Sequence, residues 1–220
     1  MEEERTTASI AGKIPAVEPK PFYNFIKRAF DIVGSSLFMI LFFWLFLIVA
    51  LAIKIDDGGP VFYLSTRIGK GGKPFRFYKF RSMRVDADDM KDDVLHLNEM
   101  QGDLFKIKDD PRITRVGKLL RRTSIDELPQ IFNILKGDMS FVGPRPPLPE
   151  EVENYTGDAF YKLSVIGGLT CYWQVGGRSL LDFEKMVRLD KKYIMERGVW
   201  TDIKLLFRTI PAVFKGDGAY

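Results

Sequence analysis

Two carboxylates stand side by side in the stretch "TSIDELPQIFN", residues 123–133, where Asp126 and Glu127 precede Pro129 and an apolar run. Adjacent carboxylates repel each other unless a cation or a proton sits between them. A divalent ion held by oxygen ligands removes the repulsion, and Mg2+ commonly binds through one or two carboxylates together with substrate phosphates. The flanks suit such chemistry. Arg121 and Arg122 come just before the pair, and "GDMSFVGPRPP", residues 137–147, comes just after. Pro144 and Pro146 bracket Arg145 and restrict its backbone. A guanidinium so held grips a phosphate with two prongs at low entropic cost.

A helix start explains the same residues without any chemistry. Ser124 and Glu127 have the spacing of a capping box, but Pro129 would then fall at N5, where a helical N–H is needed. Taking Asp126 as the N-cap moves Pro129 to N3, where no intrahelical donor is expected. That placement is worth about 1 kcal/mol and requires no function. The pair therefore reads either as a helix terminus or as a phosphate-handling site.

Composition narrows the chemistry. The chain has one histidine, His96, and one cysteine, Cys171. These counts exclude an internal disulfide, a Cys-rich zinc site and a metal site built on paired histidines. A Ser–His or Cys–His nucleophile would have to rely on His96 alone, so acid–base or nucleophilic work points to carboxylates, supported by Lys and Arg. A net charge of +4 points to an anionic partner: nucleotide phosphates, anionic lipid or nucleic acid.

The elements that position the pair are legible in outline. From Ile32 to Ile53 runs "IVGSSLFMILFFWLFLIVALAI", about 22 uncharged residues and roughly 33 Å as a helix, enough to cross a hydrocarbon core. It is too long and starts too late for a cleaved signal peptide. Lys13, Lys20, Lys27 and Arg28 precede it, and Lys54, Arg67, Lys70 and Lys73 follow it. This balance gives the positive-inside rule no vote, so the segment either spans or re-enters on one face. "FYNFIKRAFDI", residues 22–32, reads as an interfacial amphipathic lead-in. Residues 1–20 read as a disordered tail. "DDGGPVFYLS" gives a turn and a short strand, residues 67–84 a hairpin turning at Gly69, Gly71 and Gly72, and residues 85–110 an acidic solvated helix and loop. A basic helix over "ITRVGKLLRRTS", an apolar one over "PQIFNILKG" ending at Gly137, and two helices near 182–197 and 201–215 complete the chain. The expected fold is α+β and mainly helical. It comprises a tail (1–20), a lead-in and membrane-inserted helix (21–54), and a small cytoplasmic domain (55–220) with a short β-hairpin and interfacial amphipathic helices.

Several linked motifs, "KFRSMR", "DPRITRVGKLLRRTSIDELPQIFNILKGDMSFVGPRPPLPEE", "GGLTCYWQVGGRS", "MVRLDKKYI" and the terminal "GAY", occur in an order that resembles the bacterial sugar transferases. These are monotopic phosphoglycosyl transferases acting on polyprenyl phosphate, and the resemblance covers roughly residues 25–220. It implies transfer of a sugar 1-phosphate from a UDP-sugar to undecaprenyl phosphate, with release of UMP, as the first membrane step of exopolysaccharide or O-antigen assembly. By resemblance Asp126 is the nucleophile and forms an aspartyl phosphosugar, giving ping-pong kinetics, and Glu127 with Asp126 holds Mg2+. Lys79, Arg121 and Arg145 match positions that contact phosphate. Arg178 and Asp190 match family motifs as further substrate-binding residues of less defined role. The resemblance places the chain at the bacterial inner membrane with its catalytic domain on the cytoplasmic face. It calls for no nucleic acid, leaves homo-oligomerisation open, and fits either a minimal catalytic form or a truncated large one.

Three positions, in two places, depart from the family pattern. Phe43 and Trp44 stand where a helix-breaking Ser-Pro pair is usual, so nothing obvious breaks the membrane helix. Cys171 replaces a usual glycine and reads as a small loop residue. Two other functions compete with transfer. One is a membrane-tethered anion- or nucleic-acid-binding module built on the aromatic and basic residues 67–84, and the other is a non-catalytic scaffold for polysaccharide assembly. The binding module leaves Asp126, Glu127 and "GPRPP" unexplained.

Overall fold

The computed structural model describes residues 10–90, 92–97, 107, 109–177 and 181–215. Its organising element is helix α1, Pro21–Asp57. Lead-in and apolar run form one helix of 37 residues, roughly 55 Å long. Pro21 suits the helix start, and Gly58 ends it in the left-handed region with φ 74°. The helix continues unbroken through Phe43 and Trp44, as the absence of a Ser-Pro pair leads one to expect.

Helix α1 does not stand clear of the rest of the chain. Tyr23, Asp31, Ser35, Phe46, Val49 and Ile53 form one buried stripe at helical spacing. Near its start, Asp31 Oδ1 accepts from Ser140 Oγ at 2.9 Å and from the Phe141 amide at 3.1 Å. Near its end, Asp56 Oδ2 accepts from the Val116 amide at 3.0 Å. Both ends thus dock on the same folded unit. The opposite face exposes Phe25, Ile40, Phe43, Trp44, Leu51 and Ile55, among others.

Strands β1, Phe62–Ile68, and β2, Pro74–Phe80, pair antiparallel, with Tyr63 opposite Lys79 and Arg67 opposite Phe75. The hairpin turns at Gly69–Lys73, as expected from its glycines, but its first arm begins before residue 67 and its second stops at Phe80. Alternation puts Arg67, Phe75, Phe77 and Lys79 on one face. On the other, Phe80 stacks with Phe62 and meets Phe46 of α1, with centroids 5.5 and 5.2 Å apart.

Helix α2, Arg115–Arg122, is capped by Thr114, whose side chain accepts from the Gly117 amide at 2.9 Å. Helix α3, Gln130–Lys136, ends at Gly137 with φ 94°. The Arg28 guanidinium of α1 donates to the Ile134 and Leu135 carbonyls at this terminus, both at 2.6 Å, so α1 caps α3. Phe46, Ile53, Phe77, Phe80, Leu120, Ile131 and Ile134 then close one core between α1, the hairpin and α2–α3.

Strand β3, Met139–Val142, runs parallel to β4, Gly167–Thr170, a second small sheet that the sequence does not suggest. Its second strand is "GGLT", which has neither alternation nor bulk. Gly168 is required there, because a Cβ would lie 2.1 Å from the Gly143 amide nitrogen. Helices α4, Pro149–Glu153, and α5, Tyr172–Gly176, are short. Helix α6, Phe183–Glu196, and helix α7, Val199–Lys215, meet near Gly198 as expected.

Residues 10–20, expected to belong to an unstructured tail, lie along the domain. Ile10 and Ile14 pack against the cluster of Val152, Tyr155 and Phe160, and Lys20 Nζ donates to the Arg197 carbonyl at 3.1 Å. A few spaced apolar residues give too little periodicity to announce an element, and tertiary contact orders them. Residues 1–9 lie outside the described residues. Of the acidic segment, residues 85–90 form turns and Asp92–Leu97 a 3-10 helix; 91, 98–106 and 108 lie outside the described residues.

Candidate active site

Between α2 and α3 the chain makes one 3-10 turn, Ile125–Glu127, entered through Ser124 at φ 56°. Ser124 is the one non-glycine residue with positive φ among the described residues. A residue with a Cβ in that region costs roughly 1–2 kcal/mol. Such a cost, held at this turn by its surroundings, fits a functional site better than a casual loop. Helix α3 starts only at Gln130, with Pro129 as a cap lacking any side-chain hydrogen bond. Neither helix-start reading of the sequence survives. Ser124 makes no capping hydrogen bond, and neither carboxylate caps α3. Pro129 is the reason, since it pushes the helix start beyond the reach of both acids.

The carboxylates face cations instead. Lys79 Nζ lies 2.9 Å from Glu127 Oε1 and 3.7 Å from Asp126 Oδ2. Arg145 Nη1 donates to the same Glu127 oxygen at 3.2 Å. Lys79 comes from β2, Arg145 from the loop after β3, and the carboxylates from the turn, so three separate elements converge. Asn133 of α3 ties two of them together. Its Oδ1 accepts from the Tyr78 amide at 3.1 Å and its Nδ2 donates to the Arg76 carbonyl at 2.6 Å. The side chain thus occupies backbone positions along β2 and fixes Lys79 against the turn. The Arg145 loop is fastened too. The Gly143 amide donates to the Thr170 carbonyl at 2.8 Å, and the Gly168 amide to the Pro144 carbonyl at 2.9 Å.

Burial and these cations move the two acids in opposite directions. Burial pushes the Asp126 carboxyl above the usual range, with Lys79 opposing and the Glu127 charge adding to the rise. Burial would raise Glu127 also, but Lys79 and Arg145 together hold it well below the usual range. Glu127 is thus a fixed anion. Asp126 is the more basic of the two, with its side chain still 9% exposed. Among the described residues, no donor lies within hydrogen-bond distance of Asp126, so its oxygens remain available for bond formation.

Arg121 lies close enough to lower the Asp126 pKa, adding positive potential at the site. Arg178 falls outside the described residues. Asp190 does not join the pair: it is 1% exposed, and its Oδ2 lies 3.3 Å from Lys162 Nζ. Cys171 and Trp173 also face it, and burial raises its carboxyl to about 6. Cys171 is itself buried, with its thiol pushed up by burial and by Asp190, which makes it an inert core residue. Arg67 belongs to the site although the sequence does not single it out. It shares the Lys79 face of the hairpin, stands 5.2 Å over the Phe77 ring and donates to the Pro146 carbonyl at 3.1 Å. Strand alternation carries that signal, since Arg67, Phe75, Phe77 and Lys79 share a face once the register is known. Phe77 and Phe80 are each 1% exposed, so they are not presented to stack on bases.

A divalent metal fits the donor set. Two hard oxygen donors at one turn suit Mg2+, which keeps waters and takes substrate phosphates as further ligands. Glu127 Oε1 is engaged by Lys79 and Arg145, whereas no partner is seen for Oε2 or for Asp126 Oδ1. Among the described residues no cluster of three or more metal-binding side chains exists, so a protein-only cage is ruled out there.

Comparison with known proteins identifies the family. Residues 22–216 match the model of a family described as bacterial sugar transferase. The chain is 47% identical over 194 residues to "Galactosyl transferase CpsE" of Streptococcus agalactiae serotype III, covering 88% of this chain and 43% of that protein. It is 46% identical over 203 residues to "Undecaprenyl-phosphate galactose phosphotransferase" of Salmonella typhimurium, covering 90% and 42%. "Exopolysaccharide production protein ExoY" of Rhizobium meliloti is 38% identical over 205 residues, covering 91% of each. The chain therefore spans less than half the length of the first two relatives and nearly all of the third.

Proposed function

This chain belongs to the bacterial sugar transferase family, and from that premise we propose that it transfers a sugar 1-phosphate from a UDP-sugar to undecaprenyl phosphate, releasing UMP. The observation that carries the reading is the Asp126–Glu127 turn: two acids with no capping duty, met by Lys79 and Arg145. Relatives named for transfer to undecaprenyl phosphate support the choice of acceptor.

The reaction runs in two displacements. An Asp126 carboxylate oxygen attacks the sugar-bearing phosphorus, the bond to the bridging oxygen breaks, and UMP leaves with the electron pair. A phosphate oxygen of the lipid then attacks the same phosphorus and expels the Asp126 carboxylate. All attacking groups are anionic at neutral pH, so no general base is needed, which suits a chain whose one histidine, His96, is exposed. Phosphoryl transfer chiefly requires positioning and neutralisation of charge. Lys79, Arg121 and Arg145 supply fixed positive charge, and Glu127 holds Lys79 and Arg145 in place. Asp126 and Glu127 would hold Mg2+, which supplies further neutralisation of the diphosphate. The raised Asp126 pKa makes its carboxylate a better nucleophile than an ordinary one and confines activity to pH values above that pKa.

Helix α1 anchors the enzyme to the cytoplasmic face of the inner membrane without crossing it. Docking of both its ends on one domain supports this, since a perpendicular span would drag that domain into the bilayer. Its exposed apolar face then sits in lipid, beside Trp200 and Phe207 of α7, which are 75% and 70% exposed. A cysteine at the exposed position Ala11 should react with impermeant reagents only from the cytoplasmic side. Reaction from outside would establish a span.

The function is tested with purified protein, undecaprenyl phosphate, Mg2+ and a panel of UDP-sugars. UMP release with at least one sugar is expected. No release with any member of the panel would remove the reading.

A further inference from the structure

Arg67 is electrostatically incomplete. Its guanidinium forms no ion pair among the described residues. One nitrogen donates to the Pro146 carbonyl, and Nε is buried without a partner. Burial and the neighbouring Arg145 charge lower its pKa to about 10, a rare strain on an arginine. Glu151 and Glu127 are the nearby carboxylates that partly offset this. Close by, Tyr155 buries a hydroxyl that also lacks a partner. A buried guanidinium donor without a partner, close enough to a second guanidinium to feel its charge, is the setting in which an anion is expected to bind.

Bracing the "GPRPP" loop explains only one of the Arg67 donors. A lysine or a glutamine could hold the Pro146 carbonyl equally well. The Arg145 charge disfavours a second guanidinium nearby in the free protein, and a phosphate bound by both would convert that repulsion into two charge-assisted contacts.

We propose that Arg67 and Arg145 form a single phosphate seat, used in turn by the departing UMP and by the phosphate of the lipid acceptor. The inference rests on the double displacement at Asp126 described above. In each displacement the attacking and leaving oxygens lie roughly in line through phosphorus. Asp126 occupies one apical position in both steps, arriving in the first and leaving in the second. The other apical position therefore holds UMP at the end of step one and the acceptor phosphate at the start of step two. Both are phosphate monoesters, so one cationic seat opposite Asp126 serves both. Their occupancy is mutually exclusive.

The test is equilibrium binding to the full chain in lipid nanodiscs, with UMP and farnesyl phosphate as probes and uridine and farnesol as uncharged controls. Wild type should bind each phosphate more tightly than its control, and each phosphate should displace the other competitively. Arg67→Ala should weaken both phosphates by at least tenfold and both controls by less than twofold. Arg67→Lys, which keeps the charge but loses the fork, should fall between and serves as the readout if the alanine variant does not fold. Unchanged phosphate binding in Arg67→Ala overturns the seat while leaving the transferase reading intact. Loss of only one phosphate, or simultaneous binding of both, overturns shared use. A wild type that prefers neither phosphate over its control overturns the transferase reading itself.

Discussion

Among the described residues two buried aspartates form ion pairs with lysines, Asp126 and Asp190, and they differ in what surrounds them. Asp126 shares its turn with Glu127 and faces Lys79, with Arg145 and Arg121 adding charge, and its carboxylate keeps a path to solvent. Asp190 faces Lys162 in the interior with Cys171 and Trp173, and among the described residues Lys162 is the one cation paired with it. At the first site positive charge exceeds negative and donors are left over, the condition for binding a phosphate. At the second, among the described residues one lysine meets one carboxylate, at 3.3 Å, in a setting buried enough for the pair to tie α6 to the segment 162–173. Two carboxylates in family motifs thus sit in different surroundings, one with several cations around it and some exposure, the other nearly sealed beside a single lysine.

The sharpest way to break this contrast is at Asp126. Asp126→Asn should lower UMP release by at least about 10^4-fold while leaving the thermal midpoint close to wild type. Turnover within tenfold of wild type would show that the two aspartates do not differ as argued. Lys79→Ala should cost on the order of 10^2- to 10^3-fold. Lys79 lowers the Asp126 pKa, so its loss should also move the acid limb of the kcat/KM profile to higher pH. A profile that merely scales down would separate Lys79 from Asp126.

The second site should respond in stability rather than chemistry. Asp190 has its carboxyl raised from 3.8 to about 6, so ionisation opposes folding. The stability associated with the neutral acid is fully present below about pH 4 and lost as pH rises through about 6. Asp190→Asn should therefore match wild type in acid and be the more stable of the two at pH 7, by on the order of 2–3 kcal/mol. Lys162→Met should do the reverse, because it leaves a buried carboxylate without a counter-charge. Denaturant titrations at pH 4 and pH 7 read both effects, and an Asp190→Asn variant less stable than wild type at pH 7 would refute the account of this site. The smallest effect is expected at Ser124. Relief of its positive φ by Ser124→Gly should change stability by less than about 1 kcal/mol, in the stabilising direction. A loss of 1 kcal/mol or more would restore the capping role that the structure removes.

Much of this is legible in the residues. Apolar length announces α1, glycines mark the hairpin turn and the end of α3, and Pro129 already weakens the capping box. The motif resemblance brings Lys79, Asp126, Glu127 and Arg145 into one set, and the fold does bring them together. Long-range contacts are less legible. Asn133 mimicking backbone along β2, Arg28 capping α3, and residues 10–20 lying on the domain all depend on tertiary proximity that leaves no periodic trace. The burial of Asp190 and its pairing with Lys162 are not legible either, because sequence motifs record position without burial. Arg67 stays silent because its meaning depends on the register of β1 against β2.

The central claim is that Asp126 bonds covalently to phosphorus during turnover. Intact-protein mass spectrometry after incubation with a UDP-sugar and Mg2+, with lipid acceptor withheld, tests it most directly. The account predicts a mass gain of one sugar phosphate that disappears on adding undecaprenyl phosphate and never forms in Asp126→Asn. An adduct that persists in that variant, or UMP release that strictly requires both substrates at once, would contradict it.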